Sequence, residues 1–91
     1  MKLVWTEQAI LDLVVARAYV AKDNPTAASI LARRILQSTE KLCKHPEIGR
    51  KGRLAGTREL VIPGTPYLIP YRIHGDRIEL LRILHGRQQY P

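Results

Sequence analysis

The chain has 91 residues, of which 45% are apolar, and it carries a net charge of +7 with a single cysteine. It has no run of about 18 apolar residues to span a membrane, no signal-peptide pattern after Met1-Lys2-Leu3-Val4-Trp5, and no second thiol for an internal disulfide. These features exclude an integral membrane or disulfide-framed secreted protein and lead us to expect one cytoplasmic domain over residues 1–91, with Cys43 read as a small residue near a helix end.

Leu3-Val4-Trp5 reads as a first strand, with Trp5 in the core. Thr6 follows as a helix cap, its hydroxyl accepting a first-turn amide, and Glu7 sits where the helix dipole favours an anion. Ile10, Leu13, Val14, Arg17, Ala18 and Ala21 recur at helical spacing and predict an apolar stripe on a helix ending near Ala21-Lys22-Asp23. Asn24-Pro25 opens a second helix, since Asn caps well and Pro in the first turn gives up no needed hydrogen bond. Ala28, Leu31, Ile35, Thr39 and Leu42 form its inner face, and His45-Pro46 stops it because Pro46 disfavours a helical His45. The short join predicts an antiparallel helical hairpin.

Residues 48–56 read as a loop rich in glycine and cations. Arg50, Lys51, Arg53 and Arg58 fall within nine positions, so this segment is either a solvated connector or a phosphate-contacting loop. A three-strand meander follows. Arg58 to Ile62 leads to a Pro63-Gly64-Thr65-Pro66 turn; Tyr67, Ile69, Tyr71 and Ile73 share one face of the next strand, with Leu68 and Arg72 on the other. Pro70 cannot donate to a ladder and implies a bulge or an unpaired N–H side at that point. Gly75-Asp76 makes a hairpin turn, and Ile78 to Leu84 reads as a central strand interrupted by Arg82, whose charge needs water, a carboxylate or an anion. The order is β-α-α-β-β-β, an α+β fold with the hairpin on a small, mainly antiparallel sheet.

Charge is unevenly placed. Residues 1–49 hold seven Lys/Arg and five Asp/Glu, whereas residues 50–91 hold eight and three, so the positive field gathers on the strand half and suits a polyanion or an acidic protein. Arg50, Lys51, Arg53, Arg58, Arg72, Arg82 and Arg87 are the candidate target- or nucleic-acid-binding residues. Arg82 and Arg87 lead this set because the sheet has few carboxylates to pair with them. His45 and His74 read as helix-stop and turn residues; no two histidines have metal-ligand spacing, and no cofactor is implied.

Several segments in order resemble the RelE/ParE superfamily of type II toxin–antitoxin toxins: Trp5-Thr6-Glu7-Gln8-Ala9, His45-Pro46-Glu47-Ile48-Gly49-Arg50, Arg58-Glu59-Leu60-Val61, Tyr67-Leu68-Ile69-Pro70-Tyr71-Arg72 and Ile83-Leu84-His85-Gly86-Arg87. The resemblance implies one of two targets on a shared scaffold. ParE-like toxins poison DNA gyrase. RelE-like toxins cleave messenger RNA in the ribosomal A site, and then His85, Arg87 and Tyr90 are the catalytic candidates: His85 as base or acid, Arg87 for phosphorane charge, Tyr90 as proton donor or stacking group. The ribonuclease pattern places basic residues along the strands where this chain has Leu60, Val61 and Leu68, and the Leu84-His85-Gly86-Arg87 ending is closer to the ParE type. The reading therefore leans to ParE, with the ribonuclease and a non-toxic antitoxin-binding module as alternatives. The implied partners are a cognate acidic antitoxin, gyrase or the ribosome with its message, and operator DNA reached through the antitoxin.

Overall fold

A computed structural model describes residues 1–86 and 88. The elements run β1 (Lys2–Trp5), α1 (Glu7–Ala21), α2 (Pro25–Lys44), β2 (Arg50–Lys51), β3 (Arg58–Val61), β4 (Tyr67–His74), β5 (Arg77–Leu80) and β6 (Leu84–His85). The expected α+β order is present, with two short strands added. The sheet order is β1-β5-β4-β3-β2, parallel between β1 and β5 and antiparallel elsewhere, and β6 pairs with β4.

Both helices start at the expected caps. Thr6 Oγ1 accepts the Ala9 amide at 3.2 Å, and Asn24 Oδ1 accepts the Ala27 amide at 3.0 Å. Thr6 Oγ1 also donates to the Leu80 carbonyl at 2.8 Å, which ties the start of α1 to the end of β5. α2 buries Ala28, Leu31, Ile35, Thr39 and Leu42, the stripe its spacing predicts. Of these, Leu31, Ile35 and Leu42 meet Leu60, Ile62, Ile69, Tyr71, Ile78 and Leu80 from one face of the sheet to form the core.

α1 departs from expectation. Its inner face is Ala9 and Ala16, with Leu13 and Val20 packed against the core, whereas Ile10 and Val14 of the predicted stripe are 49% and 59% exposed. The helix is apolar almost all round, so periodicity selects no face. Its rotation is set instead by polar anchors, the Thr6 bonds and the Asp12 pairing described below.

The last strand is also corrected. Ile78 to Leu84 is not continuous: β5 stops at Leu80, and β6 resumes at Leu84. Leu80 lies opposite Tyr71 and Leu84 opposite Leu68, so Leu81, Arg82 and Ile83 stand against only Ile69 and Pro70. One extra residue on one strand is a β-bulge. It falls where Pro70 lacks an N–H, and the Leu81 amide donates to the Pro70 carbonyl at 2.9 Å. The cationic loop is likewise partly strand, since Arg50 and Lys51 pair with Glu59 and Arg58. Gly49 permits this: a Cβ there would lie 2.6 Å from the Tyr71 ring and hydroxyl. The Tyr71 hydroxyl accepts the Gly49 amide at 2.9 Å and donates to the Pro46 carbonyl at 2.7 Å, fixing the exit from α2. Burial pushes the Tyr71 phenol up from its usual pKa, against the opposing pull of the Gly49 hydrogen bond and the Arg58 charge.

Candidate functional site

Most cations named from the sequence are engaged in holding the fold. Glu59 is buried, 2% exposed in its side chain, on the sheet face away from the helices. Its Oε1 accepts from Arg50 Nε and Nη2 at 3.2 and 3.1 Å, and its Oε2 accepts the Arg53 amide at 3.2 Å with Arg53 Nε at 3.5 Å. A buried carboxylate needs such partners, because an unpaired charge there is costly. The outer parts of Arg50 and Arg53 remain 57% and 41% exposed, so this cluster reaches solvent. Arg58 Nη1 donates to the carbonyls of Gly49 and Glu47 at 2.9 and 3.2 Å, clamping the same loop. Lys51 and Arg72 are exposed, and Arg72 lies opposite Glu79 in the ladder.

Arg82 finds a carboxylate, one of the three partners its charge calls for, and it comes from α1 rather than from the sheet. Arg82 Nε donates to Asp12 Oδ2 at 2.8 Å and Nη2 to Oδ1 at 3.3 Å. The bulge turns Arg82 toward α1 and aims the Ile83 amide at the same carboxylate, 2.9 Å away. Burial opposes ionisation of Asp12, but the Arg82 bond, the Ile83 amide and the Gln8 amide together outweigh it and hold the carboxyl below its ordinary pKa. Asp12 is the anchor the sequence reading passed over; its signal is a lone acid within an otherwise apolar helical run.

His85, on β6, sits edge-on to Tyr67, with ring centroids 5.7 Å apart and planes at 77°. Its amide donates to Gln88 Oε1 at 2.6 Å. Arg87 and Tyr90, its proposed companions, lie outside the described residues. Two adjoining clefts open beside His85 and Tyr67. One, of about 390 Å³, is lined by Tyr19, Ala27, Ile30, Leu31 and Pro66; the other, of about 330 Å³, by Val15, Ala16, Tyr19 and Ile83. Burial, and to a lesser extent the nearby Tyr19, raises the Tyr67 phenol pKa. Arg34 and Gly64 continue the first cleft into one of about 730 Å³ that carries Lys41 and Lys44 with a single acid, Glu40. The arrangement is a groove, apolar at the His85 end and cationic along α2. Among the described residues, no three His, Cys, Asp or Glu side chains come together to hold a metal ion, and no helix is long and apolar enough to cross a membrane.

A two-helix layer on a mostly antiparallel sheet, with a bulged last strand and a basic, grooved surface, is the α+β architecture that the resemblance to the toxin superfamily implies. Residues 3–90 match the model of the ParE toxin of type II toxin-antitoxin system, parDE, and the chain belongs to that family. It is 44% identical over 87 residues to the Y4kP protein of Sinorhizobium fredii, covering 96% of this chain and 90% of that one. It is 36% identical over 85 residues to the toxin RelE2 of Caulobacter vibrioides, covering 93% and 94%. A solved chain of the chromosomal ParDE TA system from P. aeruginosa has a TM-score of 0.83 at 30% identity, over 93% of this chain and 95% of that one.

Proposed function

We propose that this toxin arrests growth by poisoning DNA gyrase and is neutralised by an acidic antitoxin segment. The observation that carries the choice of target is the state of the strand cations. Metal-independent RNA cleavage needs positive groups ready to stabilise a phosphorane. Here four of the six described candidates are engaged, Arg50 and Arg53 on Glu59, Arg58 on backbone carbonyls and Arg82 on Asp12; Lys51 and Arg72 stay exposed, while Leu60 and Leu68 are buried where a ribonuclease would carry strand cations. The groove supports the partner: an amphipathic segment places apolar side chains against Tyr19, Ile30 and Tyr67 and its acids along Arg34, Lys41 and Lys44.

A ribosome-dependent ribonuclease is the second reading, favoured by the likeness to RelE2 and by the imidazole of His85 at the groove mouth. Induced expression of the chain, followed by gyrase supercoiling assays and by mapping of message ends, separates the two. Inhibited supercoiling with intact messages is the expected result. Normal gyrase activity with cut messages that become intact in His85→Ala overturns it, and arrest-free growth with retained antitoxin binding indicates a non-toxic binding module. For the partner, Arg34→Glu together with Lys41→Glu weakens antitoxin binding and flattens its salt dependence.

A further inference from the structure

α1 leaves an apolar strip on the outside of the molecule. Ile10, Leu11, Val14, Val15 and Tyr19 are 49%, 50%, 59%, 67% and 70% exposed. At about 3.6 residues per turn Ile10 and Tyr19 stand on opposite flanks of the helix, so the line that a second helix covers is Leu11, Val14 and Val15, roughly 300 Å², with Ile10 and Tyr19 at its edges. A helix that is apolar all round belongs in a buried setting.

We propose that this strip is a homodimer interface in which α1 of one chain packs antiparallel on α1 of a second copy about a two-fold axis. The centre of the strip runs Glu7, Leu11, Val14 and Val15, Ala18, Lys22, at spacings of three and four that keep one line along the helix. Its midpoint lies between Val14 and Val15, and Glu7 and Lys22 are equally distant from it. An antiparallel pair therefore sets Glu7 of each copy beside Lys22 of the other, Leu11 against the small Ala18, and the valines together on the axis. A two-fold interface demands this self-complementarity. The same pattern argues against an acidic segment as the occupant. The centre of the strip carries one acid and one base at opposite ends, so it is neutral within a chain of +7, and Arg17 borders it where its head group reaches water. The cations suited to an acidic peptide, Arg34, Lys41 and Lys44, line the other groove.

The test is sedimentation equilibrium of the purified full chain at micromolar concentration. The expected mass is that of two chains of 10.4 kDa. Leu11→Asp should raise the dissociation constant by about 100-fold or more. Glu7→Lys and Lys22→Glu should each weaken the dimer about 5-fold, and the double variant should recover it, because the antiparallel arrangement restores both ion pairs with their signs exchanged. All of these side chains are on the exposed surface of the helix, so the core is untouched, and the recovery separates pairing from damage to the helix. A single-chain mass at about 100 μM overturns the proposal. So does a dimer indifferent to Leu11→Asp, a double variant no better than the weaker single one, or a set of variants that lose antitoxin binding while their mass is unchanged.

Discussion

Removing the Asp12 carboxylate should unfasten the bulge from α1. In Asp12→Ala the Ile83 amide, on a residue only 3% exposed, loses its acceptor, which costs about 1–2 kcal/mol. The bidentate Arg82 contact is also lost; with that side chain 36% exposed, solvent screening discounts it to about 1 kcal/mol. The total of about 2–3 kcal/mol lowers the melting temperature of a domain this size by roughly 10–20 °C. Asp12→Asn keeps an acceptor for Ile83 and should lose about half as much. The pH dependence follows from the depressed folded pKa. The unfolded carboxyl titrates near 3.9, so the contribution is whole above that value and fades as pH falls below it toward the lower folded value. Parent and Asp12→Asn melting curves, followed by circular dichroism from pH 7 down to the acid limit, should therefore converge at the acid end. An Asp12→Ala variant melting within about 3 °C of the parent at pH 7 would refute the assignment of Asp12 as the anchor of the bulge.

Three further outcomes test the frame around the groove. Gly49→Ala should destabilise by about 1–3 kcal/mol in chemical denaturation, because the added methyl meets the Tyr71 ring at 2.6 Å and the Glu59 carbonyl at 2.9 Å. Tyr71→Phe leaves the Gly49 amide and the Pro46 carbonyl without their hydroxyl partner and should cost about 1–2 kcal/mol. Since the folded phenol pKa is raised, the neutral Tyr71 contributes fully below the unfolded value of about 10, and the parent should lose that advantage over Phe as pH climbs through the higher folded value. Thr6→Ala removes both the Ala9 cap and the bond to the Leu80 carbonyl; a loss of about 1–2 kcal/mol is expected, with faster amide exchange in the first turn of α1 as the local readout.

How far these features could be read in advance depended on what determines each of them. The two caps, the break at Asn24-Pro25 and the stop at His45-Pro46 are local chemistry, and all lie where the residues place them. The inner stripe of α2 was legible because its other faces carry Arg33, Arg34, Gln37, Glu40, Lys41 and Lys44, with only Ile30 and Leu36 as large exposed apolar side chains. α1 defeated the same reasoning because apolar residues occur all round it, and the choice of inner face fell to Thr6 and Asp12, whose partners lie 74 and 70 residues away. Pro70 announced a bulge, but the bulge formed opposite it, on the strand that answers its missing donor. Among the cations, charge density was visible and pairing was not. Glu59 follows four basic residues within nine positions, a segment that reads as a solvated connector or a phosphate-contacting loop until the ladder places Arg50 directly across from it.

That pairing decides what the positive charge of this chain can do. A field that gathers on the strand half suits a polyanion or an acidic protein, and the structure divides the cations by role. Arg50, Arg53, Arg58 and Arg82 close the loop and the bulge through Glu59, backbone carbonyls and Asp12. Their outer atoms still contribute to long-range attraction, which acts on association rate and is screened by salt, but their geometry is set by intramolecular acceptors rather than by a phosphate. Arg34, Lys41 and Lys44 instead flank an apolar cleft, the combination that binds a folded or folding acidic segment with both area and charge. The outer strip of α1 is neutral at its centre and apolar, and suits a copy of itself. The groove and the strip differ in chemistry and meet at Val15 and Tyr19, so reversing charge at Arg34 and Lys41 should leave the mass of the free protein unchanged, and Leu11→Asp, away from that border, should leave the salt dependence of antitoxin binding unchanged.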